Sequence, residues 1–144
     1  EYLSTVKASA FREELKADEV LIKADTVVCI HDRILGKPAD RKEAISMLQE
    51  LSGNRHLVVT GVSVTTRTEQ LSFSSRTDVF FKRLSNEEIE FYVDTYKPFD
   101  KAGSYGSQEW IGYIGIERIE GSFYNVMGLP IQKLYETLRK LQFQ

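Results

Sequence analysis

Hydrophobic and polar residues alternate along the chain with the periods of helices and strands in turn. Residues 1–15 place apolar side chains on roughly one face of a helix. Residues 20–30 are β-branched and largely apolar, which predicts a buried strand interrupted by Lys23 and Asp25. Residues 31–38 are predicted to form a turn and a loop.

The next segment has the pattern of a helix and then of a β-hairpin. Asp40 with Glu43 three residues later is a capping pattern, and Gly53 suits the position just after a helix. Residues 56–66 and 71–81 have the composition of strands and are separated by a short polar stretch. They therefore predict two antiparallel strands joined by a turn.

The C-terminal half continues the alternation. Ser85 predicts the start of a second helix, residues 100–108 a glycine-rich loop, and residues 111–119 a last strand. Residues 121–128 are predicted as a loop, and Pro130 lies in the first turn of a closing helix. Interleaved helices and strands with one hairpin indicate an α/β fold with a mixed β-sheet covered by helices.

Composition narrows the class of protein. The 144 residues suit one domain, and 42% hydrophobic with 28% charged residues is the composition of a soluble protein. No apolar run approaches the roughly 18 residues that a membrane span needs. A net charge of -2 gives no general attraction to nucleic acid, but a local lysine cluster can still bind a small anion. A single cysteine, Cys29, cannot form an internal disulfide, which fits a cytoplasmic protein.

Asp25 is the first candidate for chemistry. A carboxylate within an apolar strand is unfavourable to bury unless it is paired, hydrogen-bonded or metal-bound. It is therefore either a general base or magnesium ligand at the strand, or a structural residue bonded to backbone N–H groups. From the residue alone, the structural interpretation is somewhat favoured, because perturbed carboxylates need not be catalytic.

Two lysines are candidates for binding phosphate. Lys37 lies between Gly36 and Pro38, where the proline restrains the backbone and the ammonium group could face a phosphate. Lys7 lies on the predicted first helix. Taken singly, both are more often solvated surface residues.

A polar loop and a few isolated residues complete the candidates. The loop at 100–108 contains Lys101, two glycines and Gln108, whose amide could bind the edge of a base. Residues 125–130 lead into a helix whose N-terminus could bind an anion. Each of these, like His56 at a strand start, has a structural alternative that is more frequent.

Several short motifs become specific when their order and spacing are taken together. They are Lys7-Ala8, Ala24-Asp25-Thr26-Val27-Val28, Gly36-Lys37-Pro38, Leu51-Ser52-Gly53 with His56, Thr60-Gly61-Val62, Thr77 with Val79-Phe80, the loop from Asp100 to Gln108, Ile119-Glu120-Gly121-Ser122, Asn125-Val126 and Gly128-Leu129-Pro130. In this order the chain resembles the Maf family. The resemblance covers the chain from its first helix nearly to its end.

The resemblance implies an activity. Maf proteins hydrolyse nucleoside triphosphates to the monophosphate and pyrophosphate with a divalent metal, Mg²⁺ or Mn²⁺. The family's proton acceptor matches Asp25, which is also the expected metal ligand. Thr26, the next residue, matches a position linked to substrate selection.

The resemblance also implies a substrate. The lysines that approach the phosphates match Lys7 and Lys37, and Lys101 is expected to contact the substrate as well. The dTTP/UTP branch carries Gln at the position of Gln108, where the 7-methyl-GTP branch usually carries Glu. The chain therefore resembles the dTTP/UTP branch, and a homodimer is compatible with it.

One part of the family pattern does not appear. Maf proteins begin with a strand and a phosphate-binding loop, S-x-S-x-R-R, and a later segment carries a catalytic acidic residue. The resemblance places these before Glu1, so we expect the enzyme to extend upstream. Two other functions stay open: a nucleotide-binding module without hydrolysis, and a cell-division regulatory protein whose phenotype would not depend on Asp25.

Overall fold

The structure is a computed structural model that describes residues 14–141. Within this range the strands are β1 (Leu21–Ile30), β2 (Arg33–Leu35), β3 (Arg55–Thr65), β4 (Gln70–Phe81) and β5 (Ile116–Glu120). The helices are α1 (Arg41–Leu51), α2 (Asn86–Tyr96), α3 (Trp110–Gly115), α4 (Phe123–Met127) and α5 (Ile131–Lys140), with a 3₁₀ turn at Ala102–Ser104. The predicted first helix lies almost wholly outside the described residues.

The strands form one sheet in the order β2-β1-β3-β4-β5. β3 and β4 are the long central pair, in register from Arg55 opposite Phe80 to Thr65 opposite Gln70. The α/β class predicted from the sequence is confirmed. Within residues 14–141 all four strand pairings are antiparallel. The mixture of parallel and antiparallel pairs that the sequence predicted is therefore not found in this part of the chain.

The β3–β4 hairpin is closed by a hydrogen-bonded turn. The amide of Thr66 donates to the carbonyl of Glu69 at 2.8 Å, and the amide of Glu69 donates to Thr66 Oγ1 at 3.0 Å. A hydroxyl suits this position because it accepts from a nearby backbone amide. The turn fixes the register of both strands, and with it which side chains face the core.

Helices α1 and α2 begin at caps that the sequence predicted. Asp40 accepts from the amide of Glu43 at 2.8 Å, and Ser85 forms a reciprocal capping box with Glu88. Their apolar faces pack with the sheet in one buried cluster that includes Val28, Leu48, Leu51, Val58, Val79, Phe81, Ile89 and Ile111. Burial of this apolar surface is the main source of stability. No helix within residues 14–141 is both long and apolar enough to cross a membrane.

Three local predictions were wrong. The loop at 31–38 contains β2, the strand at 111–119 begins as helix α3, and the loop at 121–128 contains α4. Two glycines in α3 obscured its apolar period, and α4 has too few residues to show one. A Cβ at Gly112 would overlap the Ser107 carbonyl oxygen, so α3 packs directly onto the preceding loop.

Candidate functional site

A cavity of about 330 Å³ opens beside β1. Its lining comes from residues 24–26, from Lys37, from parts of the 100–108 loop and from the end of α4 through Gly128. This volume lies within the roughly 300–1,000 Å³ typical of small-molecule sites. The structure therefore brings together the predicted site residues Asp25, Thr26, Lys37, Lys101 and Gln108. Lys7 lies outside the described residues.

The first half of β1 is an edge of the described sheet. β2 pairs only with Val28, Cys29 and Ile30, whereas β3 pairs with β1 along nearly its whole length. Side chains alternate between the two faces of a strand, so Asp25 and Thr26 leave β1 on opposite sides. Because no described strand covers this edge, one cavity can extend around it and be lined by both side chains.

Two loops meet at the cavity through a glycine. The amide of Gly103 donates to the carbonyl of Gly36 at 3.1 Å. Gly103 has a φ of 72°, and a Cβ there would lie 3.1 Å from a methyl group of Val28. A glycine is required at this contact, because a side chain would be both strained and crowded. Lys37, next to Gly36, and Lys101, two residues before Gly103, line the same cavity.

One of the two lysines of the cavity is paired with a carboxylate, and the other is open to solvent. Lys101 Nζ lies 3.6 Å from Asp100 Oδ1, and its side chain is 31% exposed. Its Cε lies 2.9 Å from where a Cβ of Gly106 would be, so the stem runs along the loop backbone. Lys37 is exposed. Both ammonium groups are therefore accessible from solvent, and an anion can bind them without a rearrangement of the core.

Gln108 is exposed at the tip of its loop, but its surroundings are ordered. Ser107 Oγ donates to Gln108 Oε1 at 3.2 Å, and the hydroxyl of Tyr113 donates to the Gln108 carbonyl at 2.7 Å. An amide carries a donor and an acceptor side by side. It can therefore pair with a ligand edge that offers the complementary pattern.

Tyr92 connects this loop to the core. The side chain is fully buried on α2, and its hydroxyl donates to Glu109 Oε1 at 2.7 Å and accepts from the amide of Gly106 at 3.2 Å. Burial raises the pKa of Tyr92 strongly, and the Glu109 carboxylate adds to the increase. The hydroxyl is therefore protonated and acts as the donor to Glu109.

A layer of buried and half-buried polar side chains supports the opposite wall of the cavity. We call Thr26, Thr60, Ser75, Thr77 and Asn125 the polar layer. Asn125 Nδ2 donates to Thr77 Oγ1 at 2.9 Å and to the carbonyls of Ser75 and Val58 at 3.1 and 3.2 Å. Thr26 Oγ1 and Thr60 Oγ1 lie 2.9 Å apart. These bonds attach α4 to the centre of the sheet, so the backbone after it closes the cavity.

His56 lies in the core behind the cavity. It is 2% exposed, and its Nε2 is 2.6 Å from the hydroxyl of Tyr105, which itself lines the cavity. Burial lowers the pKa of His56 to about 4. The imidazole is therefore neutral at physiological pH, and the structural interpretation of His56 fits its environment better than a catalytic one.

The carboxylates of the cavity suit a metal ion that takes its remaining ligands from the phosphates of a substrate. Asp25 and Asp100 are the carboxylates on the cavity lining, and within residues 14–141 no group of three or more His, Cys, Asp or Glu forms a metal-binding cluster. Mg²⁺ in proteins is often held by one or two carboxylates together with phosphate oxygens. The residues present fit that mode of binding.

Sequence reasoning missed two residues that organise the site. Tyr92 was not singled out from the sequence, and Asn125 was placed only in a loop. A signal was available for Tyr92, since a buried tyrosine must find a partner for its hydroxyl. The partners of Asn125 lie 48 to 67 residues away along the chain, so no local pattern could reveal them.

Comparisons with known proteins all indicate the same family. A family model described as Maf-like protein matches residues 1–141. The chain is 57% identical over 141 residues to a dTTP/UTP pyrophosphatase of Bacteroides thetaiotaomicron, covering 98% of this chain and 73% of that protein. It is 54% identical over 138 residues to that of Parabacteroides distasonis, covering 96% and 72%. For that of Porphyromonas gingivalis W83 the identity is 56% over 140 residues, covering 96% and 70%.

Proposed function

The chain belongs to the Maf-like protein family, and on that premise we propose that it hydrolyses dTTP and UTP to the monophosphate and pyrophosphate. The observation that carries the proposal is the cavity in which Asp25, Lys37, Lys101 and Gln108 meet. These residues supply a base, two cations and a base-pairing amide. Relatives named dTTP/UTP pyrophosphatase, more than half identical to this chain, support the same substrate class.

Asp25 is the proposed general base. Its carboxylate accepts a proton from a water molecule as the water oxygen bonds to the α-phosphorus of the nucleotide. The bond from that phosphorus to the bridging oxygen breaks, and pyrophosphate leaves with the electron pair. General-base assistance of this kind typically contributes about 10²–10⁴ in rate.

Lys37 and Lys101 are the proposed phosphate contacts. A triphosphate brings several negative charges into the cavity, and charge accumulates on the leaving pyrophosphate as the bond breaks. Two ammonium groups at the cavity mouth offset that charge. Lysine suits this role because its compact charge follows a flexible stem to a moving phosphate.

A divalent cation, Mg²⁺ or Mn²⁺, is the proposed cofactor. Asp25 would hold it together with phosphate oxygens, and Asp100 lies on the same lining. When bound, such an ion neutralises phosphate charge and polarises the P–O bond. The roles of the lysines and of Gln108 do not depend on which of the two metals is bound.

Gln108 is the proposed contact to the nucleobase. Uracil and thymine present an acceptor at O4 beside a donor at N3, which an amide matches with Nε2 and Oε1. Cytosine presents the reverse order. A site built for one pattern disfavours the other, because a mismatch leaves polar groups without partners.

The test is a nucleotide panel with the intact protein in oxygen-18 water. We expect pyrophosphate from dTTP and UTP, with lower activity on CTP, ATP, GTP and 7-methyl-GTP. Attack at the α-phosphorus places the label in the monophosphate. Release of orthophosphate, label in pyrophosphate, or preference for a purine nucleotide would each reject the proposal. Nucleotide binding without turnover would favour a non-catalytic module instead.

A further inference from the structure

We propose that Tyr92 is a positioning residue for base recognition. Its hydroxyl holds both sides of the short loop that carries Gln108, and so sets the position at which the amide meets a pyrimidine. The inference rests on the proposed function, since it concerns the same substrate. Tyr92 itself does not touch the nucleotide, because its side chain is fully buried.

The two hydrogen bonds of Tyr92 bracket Gln108. Gly106, two residues before it, donates its amide to the hydroxyl at 3.2 Å, and Glu109, one residue after it, accepts from the hydroxyl at 2.7 Å. A bond to a carboxylate is charge-assisted and stronger than a neutral one. One buried hydroxyl thereby closes the loop on itself and ties it to helix α2.

The loop has little room to rearrange around this contact. A Cβ on Gly106 would lie 2.6 Å from Glu109 Oε1. On the other side, Gly112 packs against the Ser107 carbonyl, and Tyr113 binds the Gln108 carbonyl. The backbone is thus tightly held, whereas the amide of Gln108 is exposed.

The choice between uracil and cytosine depends on which way round the Gln108 amide places its donor and its acceptor. Within the held loop, Ser107 Oγ donates to Gln108 Oε1 at 3.2 Å and so sets the order of donor and acceptor that the amide presents, an order that suits uracil rather than cytosine. In a loop freed from Tyr92, Ser107 and Gln108 would no longer keep this arrangement, and the amide could turn to suit either base. Loss of the hydroxyl should therefore reduce the preference for UTP over CTP, rather than lower the use of all nucleotides equally.

The experiment uses Tyr92→Phe, which removes the hydroxyl and keeps the ring. We expect kcat/KM for UTP to fall about tenfold, mainly through KM, and the UTP/CTP ratio to shrink by a similar factor. In a Gln108→Ala background, Tyr92→Phe should leave the ratio unchanged, because coupled residues are not additive. Tyr96→Phe is the matched control, since Tyr96 stacks on Tyr92 at 5.1 Å but is partly exposed. It should keep the parental ratio.

A second variant guards against a folding defect. Glu109→Ala removes the acceptor on the loop and leaves Tyr92 packed in the core, so it should shrink the ratio as well. Kd values for non-hydrolysable UTP and CTP analogues give the same ratio without turnover, which separates this inference from the proposed hydrolysis. An unchanged ratio in both variants, an equal loss on all nucleotides, or additivity with Gln108→Ala would overturn the positioning role.

Discussion

The cavity and the polar layer are adjacent and share Thr26, but their polar side chains differ in exposure to solvent. Lys37 and Gln108 are exposed and line the cavity, where a ligand can contact them. Thr60 and Asn125 are fully buried, and the hydrogen bonds of the Thr60 hydroxyl and of Asn125 Nδ2 are made to other groups of the protein. The cavity residues can therefore change without unfolding the chain, whereas the polar layer carries free energy of folding.

The comparison separates two kinds of polar residue that look alike in the sequence. A polar side chain in the cavity should affect kcat/KM and leave the free energy of unfolding nearly unchanged. One in the polar layer or in the core should do the reverse. Variants of each kind test the separation, and a variant that changes both quantities by similar free energies would break it.

Asp25→Asn should give the largest effect. Loss of the general base should lower kcat for UTP by about 10²–10⁴. The unfolding free energy should stay level or rise, because removing a charge from a half-buried site relieves desolvation. Asp32→Asn, the same chemical change in the exposed turn after β1, should keep parental activity. Retention of more than about a tenth of the activity in Asp25→Asn would contradict its role.

Asn125→Ala tests the polar layer. It removes the amide that donates to Thr77 Oγ1 and to two backbone carbonyls. Leaving these acceptors buried without their donor should lower the free energy of unfolding by about 2–4 kcal/mol. Denaturant unfolding measures the loss.

The control for this variant is Asn54→Ala. Asn54 also donates through its amide, to the Glu50 carbonyl at 2.8 Å, but it is exposed. Its loss should cost less than about 1 kcal/mol, because water replaces the bond. Equal losses in the two variants would show that burial is not what distinguishes the polar layer.

His56 makes the core sensitive to acid. Its pKa falls from 6.5 to about 4 in the folded protein. Between these pH values His56 binds a proton in the unfolded chain but not in the folded protein. The contribution of neutral His56 to the free energy of unfolding is therefore fully present above pH 6.5 and is lost as the pH falls toward 4. The loss amounts to about 3 kcal/mol. His56→Gln should show a shallower decline in unfolding free energy over this range, and parallel curves for parent and variant would refute the prediction.

Gln108→Glu tests the exposed side of the cavity. A carboxylate only accepts, so it cannot donate to O4 of uracil or thymine, and kcat/KM for UTP and dTTP should fall about 5- to 150-fold. Activity on guanine nucleotides should fall less or increase, because guanine presents donors. Thermal unfolding should match the parent. An unaltered ranking of nucleotides would exclude Gln108 from base recognition.

The lysines should give the smallest effects. Lys37→Ala and Lys101→Ala each remove one partly solvated charge, so we expect about a two- to fivefold loss in kcat/KM for UTP. Lys42→Ala, on the exposed side of α1, should leave the kinetics unchanged. Kinetics as unaffected in Lys37→Ala and Lys101→Ala as in this control would identify both as ordinary surface lysines.

Local pattern was enough to determine much of this protein. Hydrophobic periods gave β1 and the β3–β4 hairpin, and the caps at Asp40 and Ser85 marked two helix starts. These features depend on interactions between residues a few positions apart, which a sequence records directly. The ordered motifs also identified the family, together with the residue types that the proposed chemistry needs.

Only the tertiary structure decided where those residues meet. A hydrogen bond from Gly103 to Gly36 joins the loops that carry Gln108 and Lys37 beside Asp25 on β1, and no periodic pattern encodes that contact. Helices α3 and α4 were likewise hidden, since they are short and are stabilised by packing rather than by their own period. Asn125 shows the reason most clearly. Its three acceptors are distant in the chain, and whether its amide is exposed or buried depends on how β3 and β4 pair beneath it.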